Sequence, residues 1–70
     1  MNITRDFVFS KDNPRELNYV ELTLKDQDGH EIKSRISGIE LRMAKFDILE
    51  STEEVMWEKM RKIQHPFISP

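Results

Sequence analysis

The stretch YVELTLKDQDGHEIKSRI, residues 19–36, decides the fold because two runs of alternating apolar and polar residues flank a turn sequence. In the first run, Val20, Leu22 and Leu24 fall on one face of a strand, since successive side chains point to opposite faces. In the second run, two isoleucines alternate with charged residues. The pattern predicts a central β-hairpin with one apolar face, which the rest of the chain or a second copy must cover.

The turn between the two runs is Asp26-Gln27-Asp28-Gly29. Gly29 accepts a left-handed backbone conformation without steric cost, and an Asp-Gly pair between alternating runs is a strong hairpin signal. Asp26 and Asp28 resemble the start of a calcium loop, but the distal bidentate glutamate of such a loop is missing. We therefore predict a plain hairpin turn and no metal site.

The segment before the hairpin holds a short β-prone patch, Phe7-Val8-Phe9, which is followed by turn-forming residues 10–14. We expect this patch to lie along the edge of the sheet or to cap the core.

Residues 39–50 change to a helical pattern, free of glycine and proline. Ile39, Met43 and Phe46 share one stripe, and Leu41 and Ile48 share a neighbouring one. The sequence predicts one helix of about three turns that is apolar over more than half of its circumference. One stripe can cover the hairpin and the other is available to a partner.

Ser51 and Thr52 interrupt this pattern, and the following segment has two interpretations. Ser51 and Glu54 fit a capping box, which would start a second helix that runs to Gln64. The alternation of Val55, Met56 and Trp57 also fits a strand over residues 53–63. Local propensity favours the helix.

Seventy residues form a single domain, residues 1–70, and domains of this size often need a disulfide, a metal or a partner subunit. There is no cysteine, and the two histidines lack a ligand pattern. We therefore expect a homodimer, with a sufficient monomeric core as the alternative. The net charge of −2 does not fit a general nucleic-acid binder, and no run is long enough for a membrane span. No apolar leader follows Met1, so we expect an intracellular protein.

Catalytic patterns are nearly absent from the sequence. It has no cysteine nucleophile, no serine in a glycine-flanked elbow and only two glycines, which excludes a phosphate-binding glycine loop. We therefore expect no catalytic residues, no cofactor and no enzymatic activity.

Residues 46–58 contain five acidic residues and no basic residue, interleaved with bulky apolar residues. One interpretation is a solvated helix surface with acids near the helix start, where the helix dipole favours them. The other is a partner surface, in which carboxylates replace phosphates and apolar groups anchor the complex.

Several short elements between residues 5 and 63 form a recognisable set: Asp6-Phe7-Val8 with Ser10, Val20 and Leu24, Asp26 and Asp28-Gly29, Gly38, Phe46-Asp47-Ile48-Leu49, and Val55-Met56 with Met60 and Lys62-Ile63. In these elements the chain resembles the small dimeric uracil-DNA glycosylase inhibitors encoded by certain bacteriophages of Bacillus.

The resemblance implies an α+β fold: a small antiparallel sheet, made of the hairpin 19–36 and a third strand over residues 53–63, packed with one helix at about 39–50. It implies a homodimer whose helices meet at the two-fold axis. The dimer would form an apolar pocket edged with carboxylates that takes the leucine by which the glycosylase probes DNA. Phe46 would line this pocket and Asp47 would mimic a phosphate, whereas a gap-free alignment on the two glycines gives these roles to Ala44, Lys45 and Ile48.

The resulting hypothesis is a protein inhibitor that mimics DNA and occupies the DNA-binding cleft of uracil-DNA glycosylase in the bacterial host cytoplasm. It implies contact with the enzyme and with a second copy of the chain, but with neither nucleic acid nor a membrane. The predicted partner-binding residues are Met43, Phe46, Asp47, Ile48, Leu49, Glu50, Glu53 and Glu54. The alternative is a small phage or host regulator that binds another host protein or DNA.

Overall fold

A computed structural model describes residues 2–44 and 47–64 of the chain. The elements follow the order β1 (Asn2–Phe9), β2 (Leu17–Lys25), β3 (Glu31–Ser37), α1 (Gly38–Ala44) and α2 (Asp47–Gln64). The three strands form one antiparallel sheet in the order β1-β2-β3, and the two helices pack against β2 and β3. The fold is therefore a small α+β domain.

The predicted hairpin is confirmed. Val20 lies opposite Ile36 and Leu24 lies opposite Ile32, so the apolar residues of both strands share the face that the helices cover. Gly29 has a φ of 90°, the left-handed conformation that the turn sequence predicts.

The core lies between this face and the helices. Its buried members come from β2, β3, α1 and α2: Val20, Leu22, Leu24, Ile36, Leu41, Leu49, Met56 and Met60. Because the three α2 members recur at intervals of seven and four residues, they line one side of that helix.

The third strand of the sheet is β1, at the N-terminus, and it pairs with β2 from Asn2 opposite Lys25 to Phe9 opposite Leu17. The prediction that the Phe7-Val8-Phe9 patch lies along the sheet edge is confirmed. The prediction of a third strand over residues 53–63 is wrong, because this segment belongs to α2. The apolar positions there follow a helical period, and they complete the core only as a helix.

The prediction of one helix over residues 39–50 is also wrong. Ser51 does not interrupt a helix, since it lies inside α2 and its hydroxyl donates to the carbonyl oxygen of Ile48 at 3.3 Å. The chain instead forms two helices, the first ending at Ala44 and the second beginning at Asp47. Lys45 and Phe46 lie outside the described residues.

The start of α1 explains where the hairpin ends. The Ser37 hydroxyl accepts from the backbone N–H of Glu40 at 3.1 Å, which caps the first turn of α1, and it donates to the Glu40 carboxylate at 3.0 Å. At Gly38, an added Cβ would lie 2.0 Å from the Leu17 carbonyl oxygen. Only glycine allows α1 to start this close to β2.

Candidate partner-binding surface

The exposed side of α2 carries a row of carboxylates. Asp47, Glu50, Glu54 and Glu58 follow one another at intervals of three, four and four residues, and all four are exposed. At 3.6 residues per turn these positions fall within an arc of about 80°, and the row is about 16 Å long. We call these four residues the acidic stripe.

The acidic stripe is not neutralised by neighbouring bases. Within residues 2–44 and 47–64, none of its carboxylates forms an ion pair with a lysine, arginine or histidine. Asp47 and Glu50 lie in the first turn of α2, where the helix dipole favours negative charge. The stripe therefore combines exposure and alignment with charge that no ion pair among the described residues neutralises, although Glu50 lies close enough to Arg5 to help raise the pKa of that guanidinium.

Glu53 has a different role from the acidic stripe. Its side chain points towards the sheet and forms a two-pronged contact with Arg5 of β1, at 2.8 Å to Nε and 3.2 Å to an Nη atom. This hydrogen bond and the negative charge of Glu53 raise the pKa of Arg5. Glu53 thus connects α2 to the edge strand of its own sheet.

The eight residues predicted as a partner surface separate into groups. Asp47, Glu50 and Glu54 share the acidic stripe, whereas Glu53 is half-buried beside Arg5. Phe46 lies outside the described residues. The apolar members divide further, as Leu49 is buried in the core, Ile48 is half-buried against it, and Met43 is 82% exposed on α1.

Glu58 belongs to the stripe but not to the predicted set. Its spacing of four residues from Glu54 is visible in the sequence, and it becomes meaningful once α2 is one continuous helix. Several large apolar side chains are also exposed, on β1, α1 and α2: Phe7, Phe9, Ile39, Met43, Val55 and Ile63.

The outer face of the sheet, which the helices leave uncovered, carries mutually paired charges. Glu21 accepts from Arg35 at 2.9 Å and lies 3.9 Å from Lys33, and Glu31 lies 3.4 Å from Lys25. Arg35 also lies over the ring of Tyr19, 4.4 Å from its centroid. A face with such internally neutralised charge differs from the basic surface that nucleic-acid recognition requires.

The β2–β3 turn brings Asp26, Asp28 and His30 together, in a grouping whose potential metal-ligating atoms lie within 4.8 Å of one another. Asp26 already uses both carboxylate oxygens inside the protein. One accepts from the backbone N–H groups of Asp28 and His30, and the other contacts the His30 ring at 2.7 Å and the Gln64 amide at 3.3 Å. Burial opposes ionisation of Asp26, but these hydrogen bonds outweigh it and lower its pKa to about 2. The cluster closes the turn and ties it to the end of α2.

An open cleft of about 790 Å³ lies between the β1–β2 loop and α1, with Leu17, Gly38 and Leu41 at its apolar part and Arg15 and Arg42 among its polar residues. The other polar residues that line this cleft are Asn13 and Glu16. No helix in the described part of the chain is long and apolar enough to cross a membrane.

No protein-family model, curated protein or solved structure matches this chain.

Proposed function

We propose that this protein is a non-enzymatic inhibitor that mimics DNA and occupies the DNA-binding cleft of another protein, with uracil-DNA glycosylase as the target. The acidic stripe on α2 is the observation that carries the proposal. Four exposed carboxylates in a row, without paired bases among the described residues, match the electrostatic requirement of a cleft that binds phosphates.

The spacing of the stripe suits this role. Residues four apart on a helix are separated by about 6 Å along the axis, so the stripe presents charges at regular intervals on a rigid element. The stripe stays in place because the opposite side of α2, with Leu49, Met56 and Met60, is anchored in the core. A rigid charged row loses little conformational freedom on binding, which favours affinity.

The support for this proposal comes from charge and not from topology. The resemblance to phage-encoded inhibitors implies a strand after the helix, whereas the sheet is completed by β1 and the chain continues as α2. The resemblance supplies only the choice of glycosylase as the first target to test.

The decisive experiment is a titration of the purified protein into a glycosylase assay on uracil-containing DNA. We expect inhibition by the wild type and loss of inhibition by the double variant Glu50→Lys and Glu54→Lys. The matched control is Asp12→Lys with Glu16→Lys, which makes the same charge change at exposed positions of the β1–β2 loop. The control should inhibit like the wild type, and higher salt should weaken only the binding that depends on the stripe.

Two results would contradict the proposal in different ways. An inactive wild type would exclude the glycosylase as the target. Equal inhibition by both double variants would exclude the acidic stripe as the contact.

The proposal includes two further features, a homodimer and a bacterial cytoplasmic location. A domain of 70 residues without cysteine gains stability by self-association, and six large apolar side chains in the described part of the subunit are exposed. The cytoplasm is where a glycosylase acting on the host or phage genome would be met.

A second candidate function is that of a small regulator that binds another host protein. The exposed Phe7 and Phe9 on the sheet edge favour it, because an edge strand can add to the sheet of a partner. In that case Phe7→Lys, and not the stripe variant, would abolish binding to the host protein. Direct DNA binding is the weaker form of this alternative, because the outer sheet face is neutralised by its own ion pairs.

A further inference from the structure

The edge strand β1 is left open on two sides. Its outer backbone edge has no neighbouring strand among the described residues, and the helices lie over β2 and β3 and not over β1. The pairing with β2 places Ile3, Arg5, Phe7 and Phe9 on the core side of the sheet. Phe7 remains 43% exposed there and Phe9 51% exposed.

The opposite edge, β3, is built differently. Its outward-facing side chains Glu31, Lys33 and Arg35 are charged, and its inward-facing residues are covered by α2. Charges along an edge strand discourage pairing with another chain, whereas a long apolar edge invites it. Only β1 therefore has the composition of a pairing edge.

We propose that β1 pairs antiparallel with β1 of a second copy of this chain, so that two subunits form one six-stranded sheet with Phe7 opposite the partner's Phe7. The proposal does not rest on DNA mimicry, because it concerns a different element and a different surface. It names the second copy as the occupant because β1 can pair antiparallel with itself without opposing like charges.

Symmetry restricts the register. When a two-fold axis perpendicular to the sheet relates the two β1 strands, the residue numbers of each directly opposed pair add up to the same sum. Opposed side chains share a face of the sheet and so are both odd-numbered or both even-numbered, which makes this sum even. A sum of 10 puts Arg5 opposite the partner's Arg5, and a sum of 12 puts Asp6 opposite the partner's Asp6. Directly opposed like charges destabilise a sheet, so both registers are disfavoured.

A sum of 14 removes both conflicts. Phe7 then meets the partner's Phe7, Arg5 faces the ring of the partner's Phe9, and Asp6 faces the partner's Val8. Aromatic pairs and an arginine over an aromatic ring are both stabilising contacts. Sums of 8 and 16 also avoid like charges. A sum of 8 pairs residues 2–6 and leaves Phe7 and Phe9 outside the paired region, and a sum of 16 leaves only residues 7–9 of each copy opposite one another, compared with residues 5–9.

The paired strands would place both helical layers on the same side of the joined sheet. The two acidic stripes would then flank a groove whose floor is formed by Phe7 and Phe9 of both copies. Contact across the pair removes part of the apolar surface of Phe7 and Phe9 from water, which is the driving force for association.

The first test compares oligomeric state by sedimentation equilibrium. We expect the wild type to have about twice the subunit mass of 8.4 kDa. Phe7→Lys should raise the dimer dissociation constant by about a hundredfold, since the lost aromatic contact and the added charge enter twice. Met43→Lys is the matched control, because Met43 is an even more exposed apolar residue on α1 and lies away from β1.

Circular dichroism separates loss of association from loss of folding, and Phe9→Lys provides an independent variant at the same edge. A monomeric wild type would overturn the proposal. The proposal would also be overturned if Met43→Lys dissociated the dimer while Phe7→Lys and Phe9→Lys left it intact.

The second test fixes the register by cross-linking, which is clean because the chain has no cysteine. Opposed residues in an antiparallel pair have Cα atoms about 4.5–5.5 Å apart, within the range that a disulfide bridges. Under mild oxidation Phe7→Cys should form a covalent dimer, whereas Arg5→Cys and Asp6→Cys should not. Preferential cross-linking at position 5 or 6, or none at any of the three in a dimeric protein, would overturn the proposed register.

Discussion

The two edge strands of the sheet, β1 and β3, are of similar length but differ in how far the helices cover them. β3 continues directly into α1, lies under α2 and carries alternating charges that pair with β2. Among the described residues, β1 has one ion pair to the helical layer, from Arg5 to Glu53, and it exposes two phenylalanines. The difference indicates that the described helices cover the hairpin but leave the third strand partly exposed. The unclosed strand is the part of the fold that a partner can complete.

The largest change in stability is expected for a substitution in β2, the central strand that pairs with both edge strands. Leu22 is fully buried in β2, between β1 and β3. Leu22→Ala should lower the free energy of unfolding by about 2–5 kcal/mol through lost burial and a residual cavity. Phe7→Ala, on the same face one strand away, should cost less than about 1 kcal/mol in the monomer. Urea denaturation at several protein concentrations measures both, and equal losses in the monomer would show that β1 is covered after all.

A second effect tests the junction that closes the hairpin edge. Gly38→Ala places a Cβ 2.0 Å from the Leu17 carbonyl oxygen, so either β2 or the start of α1 must move. We expect a loss of about 1–3 kcal/mol of unfolding free energy. Gly29→Ala is a useful comparison, because that site has open space and only its φ of 90° opposes a side chain. A neutral Gly38→Ala would contradict the close approach.

A third effect concerns the far end of the hairpin, where Asp26 joins the turn to α2. Its folded-state pKa of about 2 lies below the ordinary value of 3.8, so the unfolded chain binds the proton more tightly. The carboxylate therefore contributes stability above about pH 4, and this contribution is lost as the pH falls towards 2. Asp26→Asn should flatten the acid dependence of the unfolding free energy over this window. An unchanged acid profile in the variant would contradict the role of these hydrogen bonds.

The smallest effect is expected from the only ion pair between β1 and α2 among the described residues. Arg5 and Glu53 are partly exposed, at 43% and 16% of their side-chain areas, so solvent screens much of their attraction. A double-mutant cycle with Arg5→Ala and Glu53→Ala should give a coupling of about 0.2–1 kcal/mol that decreases with salt. The same cycle on Arg35 and Glu21 supplies the comparison at the β3 edge. A much larger coupling energy between Arg5 and Glu53 would show that this ion pair fixes β1 to α2 more strongly than expected for partly exposed side chains.

Elements that depend on contacts between close neighbours in sequence were predictable, and elements that depend on contacts between distant segments were not. The hairpin was predictable because its signals, alternation and an Asp-Gly turn, act between close neighbours. The helix boundaries were not, because Ser51 fits a capping box locally but is a mid-helix residue in α2. The Ser37 cap of α1 was not predicted, although Ser37 and Glu40 have the three-residue spacing of a capping box in the sequence.

For the candidate site, the acidic segment was predictable from the sequence, but the arrangement of the side chains around it was not. A run of acids without a base identified the stretch, and three of the predicted residues do share the acidic stripe. The predicted apolar residues do not share one surface, because Leu49 is buried in the core and Met43 lies exposed on a separate helix. Whether an apolar residue faces a partner or its own core depends on which helix covers which strand.

The sequence by itself determined the β2–β3 hairpin, its apolar face, its turn and the presence of an acidic segment, because each follows from residue spacing and local conformation. Tertiary structure decided that the third strand comes from the N-terminus, that residues 47–64 form one helix, and that none of the other described segments pairs with the outer edge of β1. These choices depend on how limited apolar surface is shared between distant segments, and that competition is settled only when all of them pack together.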